Sequence, residues 1–98
     1  MTKTEALEVL ERYAEPVKKM GATALYLHGS TARNEAGETS DLDLFIDYDR
    51  RGCFNALDLV GIKLFLEESL HRPVDVTTRD SLHPRLRDGI VQSAIRIF

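Results

Sequence analysis

The sequence predicts an α/β fold, a small mixed β-sheet with helices packed on it. Three observations carry that expectation. Short strand-like runs at 22–28, 42–48 and 74–78 alternate with segments of helical periodicity, giving an α-β-α-β-α-β-α order. Glycine, proline and small polar residues punctuate the junctions between them. The length of 98 residues, 43% of them hydrophobic and 30% charged, suits one domain over residues 1–98 with a single core.

The first element is a helix. Ala6, Leu7, Leu10, Tyr13, Ala14, Val17 and Met20 recur at spacings of three and four, which places them on one face. Thr2 and Glu5 are spaced as a capping box, and Lys18, Lys19 and Gly21 suit the far end. Pro16 is expected to kink or interrupt the last turn.

The run 22–28 ends in Gly29-Ser30 and reads as the first strand, with a short helical turn after Ser30 closed by Gly37. From Leu42 to Tyr48 the pattern has period two. Leu42, Leu44, Ile46 and Tyr48 share one face, and Asp43, Phe45 and Asp47 share the other. Phe54 to Leu70 reads as a helix whose apolar residues spread over a wide arc, so burial over most of that arc is expected. Pro73 opens a third strand over Val74–Thr78, and Pro84 starts a last helix with Leu86, Ile90 and Ala94 at helical spacing. The ending Ile95-Arg96-Ile97-Phe98 offers apolar surface either to another chain or to the core.

Composition narrows the function. A net charge of −3 and a pI near 5.5 disfavour direct nucleic-acid binding, which needs a basic face. No apolar stretch is long enough to span a membrane, and the N-terminal residues lack a signal-peptide pattern. One cysteine, Cys53, cannot form an internal disulfide, which fits a cytoplasmic location. It is expected to be a buried small residue. Acids crowd between Glu35 and Asp49.

Within that acidic region Asp41 and Asp43 stand two apart at a strand, so their side chains leave the same face about 6.5–7 Å apart. Asp75 lies between Val74 and Val76 on the third strand, related to them as Asp43 is to Leu42 and Leu44. Adjacent strands would then present three carboxylates on one surface. Hard divalent cations prefer such oxygen ligands, and clustered carboxylates repel one another without a cation. Each acid also has a plainer reading: Asp41 as a turn cap, Asp43 as a solvated strand residue, Asp75 as an edge charge. Gly29-Ser30 follows a strand and opens a helical turn, where free N–H groups attract phosphate oxygens; serine is equally a common N-cap.

Taken together, Gly29-Ser30, ten intervening residues and then Asp41-Leu42-Asp43 resemble the DNA polymerase β-like nucleotidyltransferase superfamily. The wording Leu27-His28-Gly29-Ser30-Thr31-Ala32-Arg33, with Ser40-Asp41-Leu42-Asp43-Leu44, is similar to its minimal nucleotidyltransferase (MNT) family. Arg72-Pro73-Val74-Asp75-Val76 and Leu82-His83-Pro84-Arg85-Leu86 extend the likeness from about Leu7 to the C-terminus. His28 stands where relatives often carry Phe or Tyr, and Asn34-Glu35 replaces a frequent Gly-Glu pair.

The resemblance implies a nucleotidyltransferase fold and transfer of a nucleoside monophosphate from a triphosphate, with pyrophosphate released. Asp41 and Asp43 would hold two Mg²⁺ ions, and Asp75 would complete the second site and help deprotonate the acceptor hydroxyl. Gly29 and Ser30 would grip the β- and γ-phosphates of ATP. Arg33 either reaches phosphate or is a surface charge. His28 is expected to be a satisfied strand-end residue, His83 a neighbour of a helix cap, and Asp47 and Asp49 solvated.

So small a chain leaves little to build an acceptor domain, which favours a macromolecular acceptor. The MNT resemblance names that partner as a HEPN-domain toxin whose tyrosine receives AMP, with the MNT protein acting as antitoxin. Three alternatives stand beside this. One is an antitoxin that neutralises by binding alone. The others are transfer to a small molecule, whose known enzymes carry an added helical domain, and transfer to RNA ends.

Overall fold

The computed structural model describes residues 2–33 and 41–98. Two helices open the chain, α1 (Lys3–Arg12) and α2 (Ala14–Lys19). Thr2 caps α1 by accepting from the Glu5 amide at 3.2 Å. The expected single helix is broken at Tyr13, a full turn ahead of the last-turn interruption predicted for Pro16. Proline has no amide proton and its ring crowds the carbonyl four residues back, which is that of Arg12. Pro16 therefore sits in the first turn of α2, where a missing donor costs nothing.

The strands are β1 (Ala22–His28), β2 (Leu42–Tyr48) and β3 (Val74–Thr78), as the period-two patterns predict. A fourth, β4 (Ile95–Arg96), was not expected. Sheet order is β3-β2-β1-β4; β2 and β3 run parallel and the other pairs antiparallel, so the sheet is mixed. The C-terminal residues thus fold back onto β1. Ile97 donates to the Leu25 carbonyl at 2.8 Å and Leu25 to that of Phe98 at 3.2 Å, and Ile95, Ile97 and Phe98 pack on the core.

One face of the sheet carries Leu25, Leu27, Leu42, Leu44, Ile46, Val74 and Val76 into the core, together with Ala6 and Leu10 of α1 and Val17 of α2. The parallel crossover from β2 to β3 is α4 (Ala56–Leu70), which adds Ile62, Leu66 and Leu70. Asn55 caps it in a reciprocal box with Asp58.

The wide burial expected for this helix does not hold. Leu57 is 80% exposed, Leu64 58% and Val60 48%. A helix lying on a sheet has only one face to bury, and the apolar arc here is wider than the sheet beneath it. Cys53 is likewise exposed rather than buried, because it lies in the turn before Asn55. A 3-10 turn (Arg79–Ser81) and α5 (Pro84–Ser93) follow β3. His83 is itself the cap of α5, its Nδ1 accepting from the Arg85 amide at 3.2 Å. The closing Gly37 and the Asn34-Glu35 pair lie outside the described residues. No helix among those residues is long and apolar enough to cross a membrane.

Candidate active site

The face of the sheet away from the core carries the polar residues of the strands. Strand register brings three of them into one transverse row. His28 of β1 is the cross-strand partner of Asp43 in β2, and Asp43 is the partner of Asp75 in parallel β3. Directly opposed strand residues hold their Cβ atoms about 4.5–5.5 Å apart, so the row joins two carboxylates and an imidazole. Asp75 is therefore beside Asp43, as its place between two core valines requires. Asp41 lies just before β2 and is exposed.

The row lies where β1 ends. Gly29 turns the chain at φ 77° into the short α3 (Gly29–Ala32), with the Arg33 amide donating to the Gly29 carbonyl at 3.2 Å. Any Cβ on Gly29 would collide with the Asp43 carboxylate, so glycine is needed both for the left-handed turn and for the close approach. Ser30 is the second residue of that turn.

Electrostatics tie the group together. Burial pushes the Asp43 carboxyl above its ordinary range; His28 opposes this, and the charges of Asp75 and Asp41 push further the same way. Arg33 acts on Asp43 in the lowering direction, so its guanidinium belongs to the same electrostatic neighbourhood. Burial lowers the His28 imidazole, against the pull of Asp43 and Asp75.

His28 is not the satisfied strand-end residue expected. Its Nε2 is buried with no hydrogen-bond partner among the described residues, and its ring lies 5.5 Å from that of Phe45. The local pattern assigns His28 to the end of the first strand, but only strand register sets it opposite Asp43.

Arg33 and Gly29 share one wall of a cleft of about 440 Å³ with His28; the other wall is Arg85, Leu86, Gly89, Ile90 and Ser93 of α5. The contribution of α5 was not foreseen, since a helix start at Pro84 says nothing of what the helix faces. Asp47 is not simply solvated: it receives the fork of Arg79, Nε at 2.8 Å and Nη2 at 3.0 Å. Asp49 is exposed and accepts from the Arg51 amide at 2.9 Å.

Among the described residues no group of three or more His, Cys, Asp or Glu side chains is drawn together closely enough to hold a metal ion. The donor set still suits a hard divalent cation. It is all carboxylate oxygen, Asp43 and Asp75 are in register, and the charge of Asp41 reaches Asp43.

Comparison with known proteins identifies the family. A family model described as a nucleotidyltransferase domain matches residues 8–97. A Methanocaldococcus jannaschii protein named "Putative protein adenylyltransferase" is 38% identical over 91 residues, covering 93% of this chain and 96% of the relative. A second protein of that name and organism is 34% identical over 98 residues, 98% of each chain. A solved structure described as a "putative minimal nucleotidyltransferase" is 36% identical with a TM-score of 0.76, covering 97% of this chain and 95% of that one. A chain from the complex of a tri-AMPylated Shewanella oneidensis HEPN toxin with its MNT antitoxin shares the fold at a TM-score of 0.67 and 15% identity. There the match covers 94% of this chain and 71% of that one. With a family model over nearly its whole length and relatives above 30% identity, this chain belongs to the nucleotidyltransferase domain family and is a nucleotidyltransferase of the minimal type.

Proposed function

We propose that this chain transfers AMP from ATP, with divalent metal, onto a hydroxyl of a partner protein, a tyrosine of a HEPN-domain toxin, and so acts as an antitoxin. The observation that carries the reading is the His28–Asp43–Asp75 row set against the Gly29 turn. The names of the archaeal relatives support protein adenylylation, and the HEPN–MNT complex that shares the fold supports the partner.

In this reading Asp41, Asp43 and Asp75 hold Mg²⁺, two ions in all. When bound, the metal neutralises triphosphate charge and stabilises the leaving oxygen. The amides and hydroxyl at Gly29 and Ser30 orient the β- and γ-phosphates. Arg33, on the same cleft wall as Gly29, adds a cation to that phosphate site. Asp75 sits at the outer side of the row and is exposed, which suits it to take the proton of an incoming hydroxyl. The Asp43 carboxyl, raised by burial and further by the charges of Asp75 and Asp41, would ionise more readily with a cation beside it.

The test is incubation with labelled ATP and Mg²⁺, with and without the product of the neighbouring gene, followed by intact-mass spectrometry. One added AMP per modified tyrosine, absent with Asp43→Asn or Asp75→Asn, upholds the proposal. Neutralisation of the toxin with no added mass and undiminished in both variants would favour an antitoxin that acts by binding alone.

A further inference from the structure

At the opposite end of the parallel β2–β3 pair lies a second polar site, separate from the catalytic row. Asp47 is four residues beyond Asp43 on β2, about 13 Å along the strand. A cavity of about 160 Å³ opens there, lined by Asp47, Tyr48, Arg50, Arg79, Asp80 and Arg87.

The charges in this cavity are not balanced. Asp47 is taken up by the fork of Arg79. Asp80 accepts from Arg50 Nη2 at 3.3 Å and from the Tyr48 hydroxyl at 3.2 Å. Three guanidinium groups thus face two carboxylates, both already paired, and Arg87 is the cation left over. Its Nη2 is fixed by the carbonyls of Asp80 at 3.0 Å and Leu82 at 3.2 Å. Its Nε is buried with no acceptor among the described residues.

A buried charged donor without an acceptor is unfavourable, and a fixed guanidinium loses little freedom on binding. Arg79 is held as firmly, stacked over Tyr26 at 5.0 Å and Phe45 at 5.4 Å. We infer that this cavity is a binding site for one oxyanion group, of phosphate type, held by Arg87 and Arg79 with Arg50 at its mouth. It is distinct from the triphosphate site, since Asp47 on its wall lies four residues along β2 from Asp43. The inference stands on the cavity itself and does not require the adenylylation reading.

Inorganic phosphate is the probe, titrated into the full chain at constant ionic strength while arginine Nε–H signals are followed by NMR. Saturable shifts at Arg87 and Arg79, with the exposed Arg12 unmoved, are expected. Arg50→Gln should weaken binding several-fold and Arg87→Gln at least tenfold, whereas Asp43→Asn should leave it unchanged. Arg50 is largely exposed, so its variant tests the site even if Arg87→Gln fails to fold. Acetate in place of phosphate checks the class of anion: weaker binding of acetate is expected, and equal binding overturns the assignment to a phosphate-type group. No saturation by either anion, or shifts equal to those of Arg12, overturns the inference and leaves the cavity to water.

Discussion

The carboxylate of Asp43 occupies the space that a Cβ on Gly29 would need, and Gly29 itself turns the chain at φ 77°. Two demands therefore fall on one residue. The left-handed turn disfavours any side chain, and a methyl group would have to displace the Asp43 carboxylate. Gly29→Ala is expected to cost about 1–3 kcal/mol in denaturant unfolding. By displacing Asp43 it should also cut nucleotidyl transfer about a hundredfold. Wild-type transfer by a folded Gly29→Ala protein would separate the turn from the chemistry.

Asp43 should behave as a stability cost at neutral pH. Its folded carboxyl titrates above the ordinary range because of burial, with the charges of Asp75 and Asp41 adding to it. An acid raised by folding binds its proton more tightly in the native state, so stability falls as pH rises through the unfolded and then the folded value. Without divalent metal, Asp43→Asn is expected to raise the melting temperature by a few degrees at about pH 7 and to change little at about pH 3. Thermal unfolding in chelator across that range checks the sign, and a melting temperature lowered at neutral pH would refute it.

Arg79 joins Asp47 through two parallel hydrogen bonds and covers the faces of Tyr26 and Phe45. The pair is about one third exposed on each side, so its worth is modest, on the order of 1 kcal/mol. Arg79→Gln should lose that amount, and Arg79→Lys should recover only part of it, because an ammonium cannot reproduce the fork. Urea unfolding of the three proteins measures it.

On α4 the exposed and buried apolar residues should respond in opposite ways. Leu57→Glu and Leu64→Glu are expected to shift stability by no more than about 0.5 kcal/mol, since both side chains already meet solvent. Leu66→Ala, at a fully buried position, should cost about 2–5 kcal/mol. Equal losses at Leu57 and Leu66 would contradict the packing described.

The three longer strands β1, β2 and β3 are legible in the sequence to the residue, because period-two alternation and bounding Gly and Pro are local signals. The aspartates at 43 and 75 could be assigned to the outer face for the same reason. At Asp47 the structure departs from the sequence expectation because its partner is distant in the chain. The sequence pattern makes Asp47 look solvated because Arg79 lies 32 residues away. Cys53 and the outer arc of α4 were read as buried because hydrophobicity reports tendency, while the area of the sheet sets how much can be covered.

The amino-acid order alone thus determined the alternation of helices and strands, the polar face of β2 and β3, and the presence of a glycine turn ahead of paired acids. Each of these is written in residues within a few positions of one another, where backbone geometry dictates side-chain direction. Only the tertiary structure decided that His28 stands opposite Asp43, that α5 walls the cleft beside Gly29, and that the C-terminus becomes a fourth strand. Those relations depend on strand register and on which surfaces the sheet leaves open. Both are settled by packing across the whole chain, which no local pattern encodes.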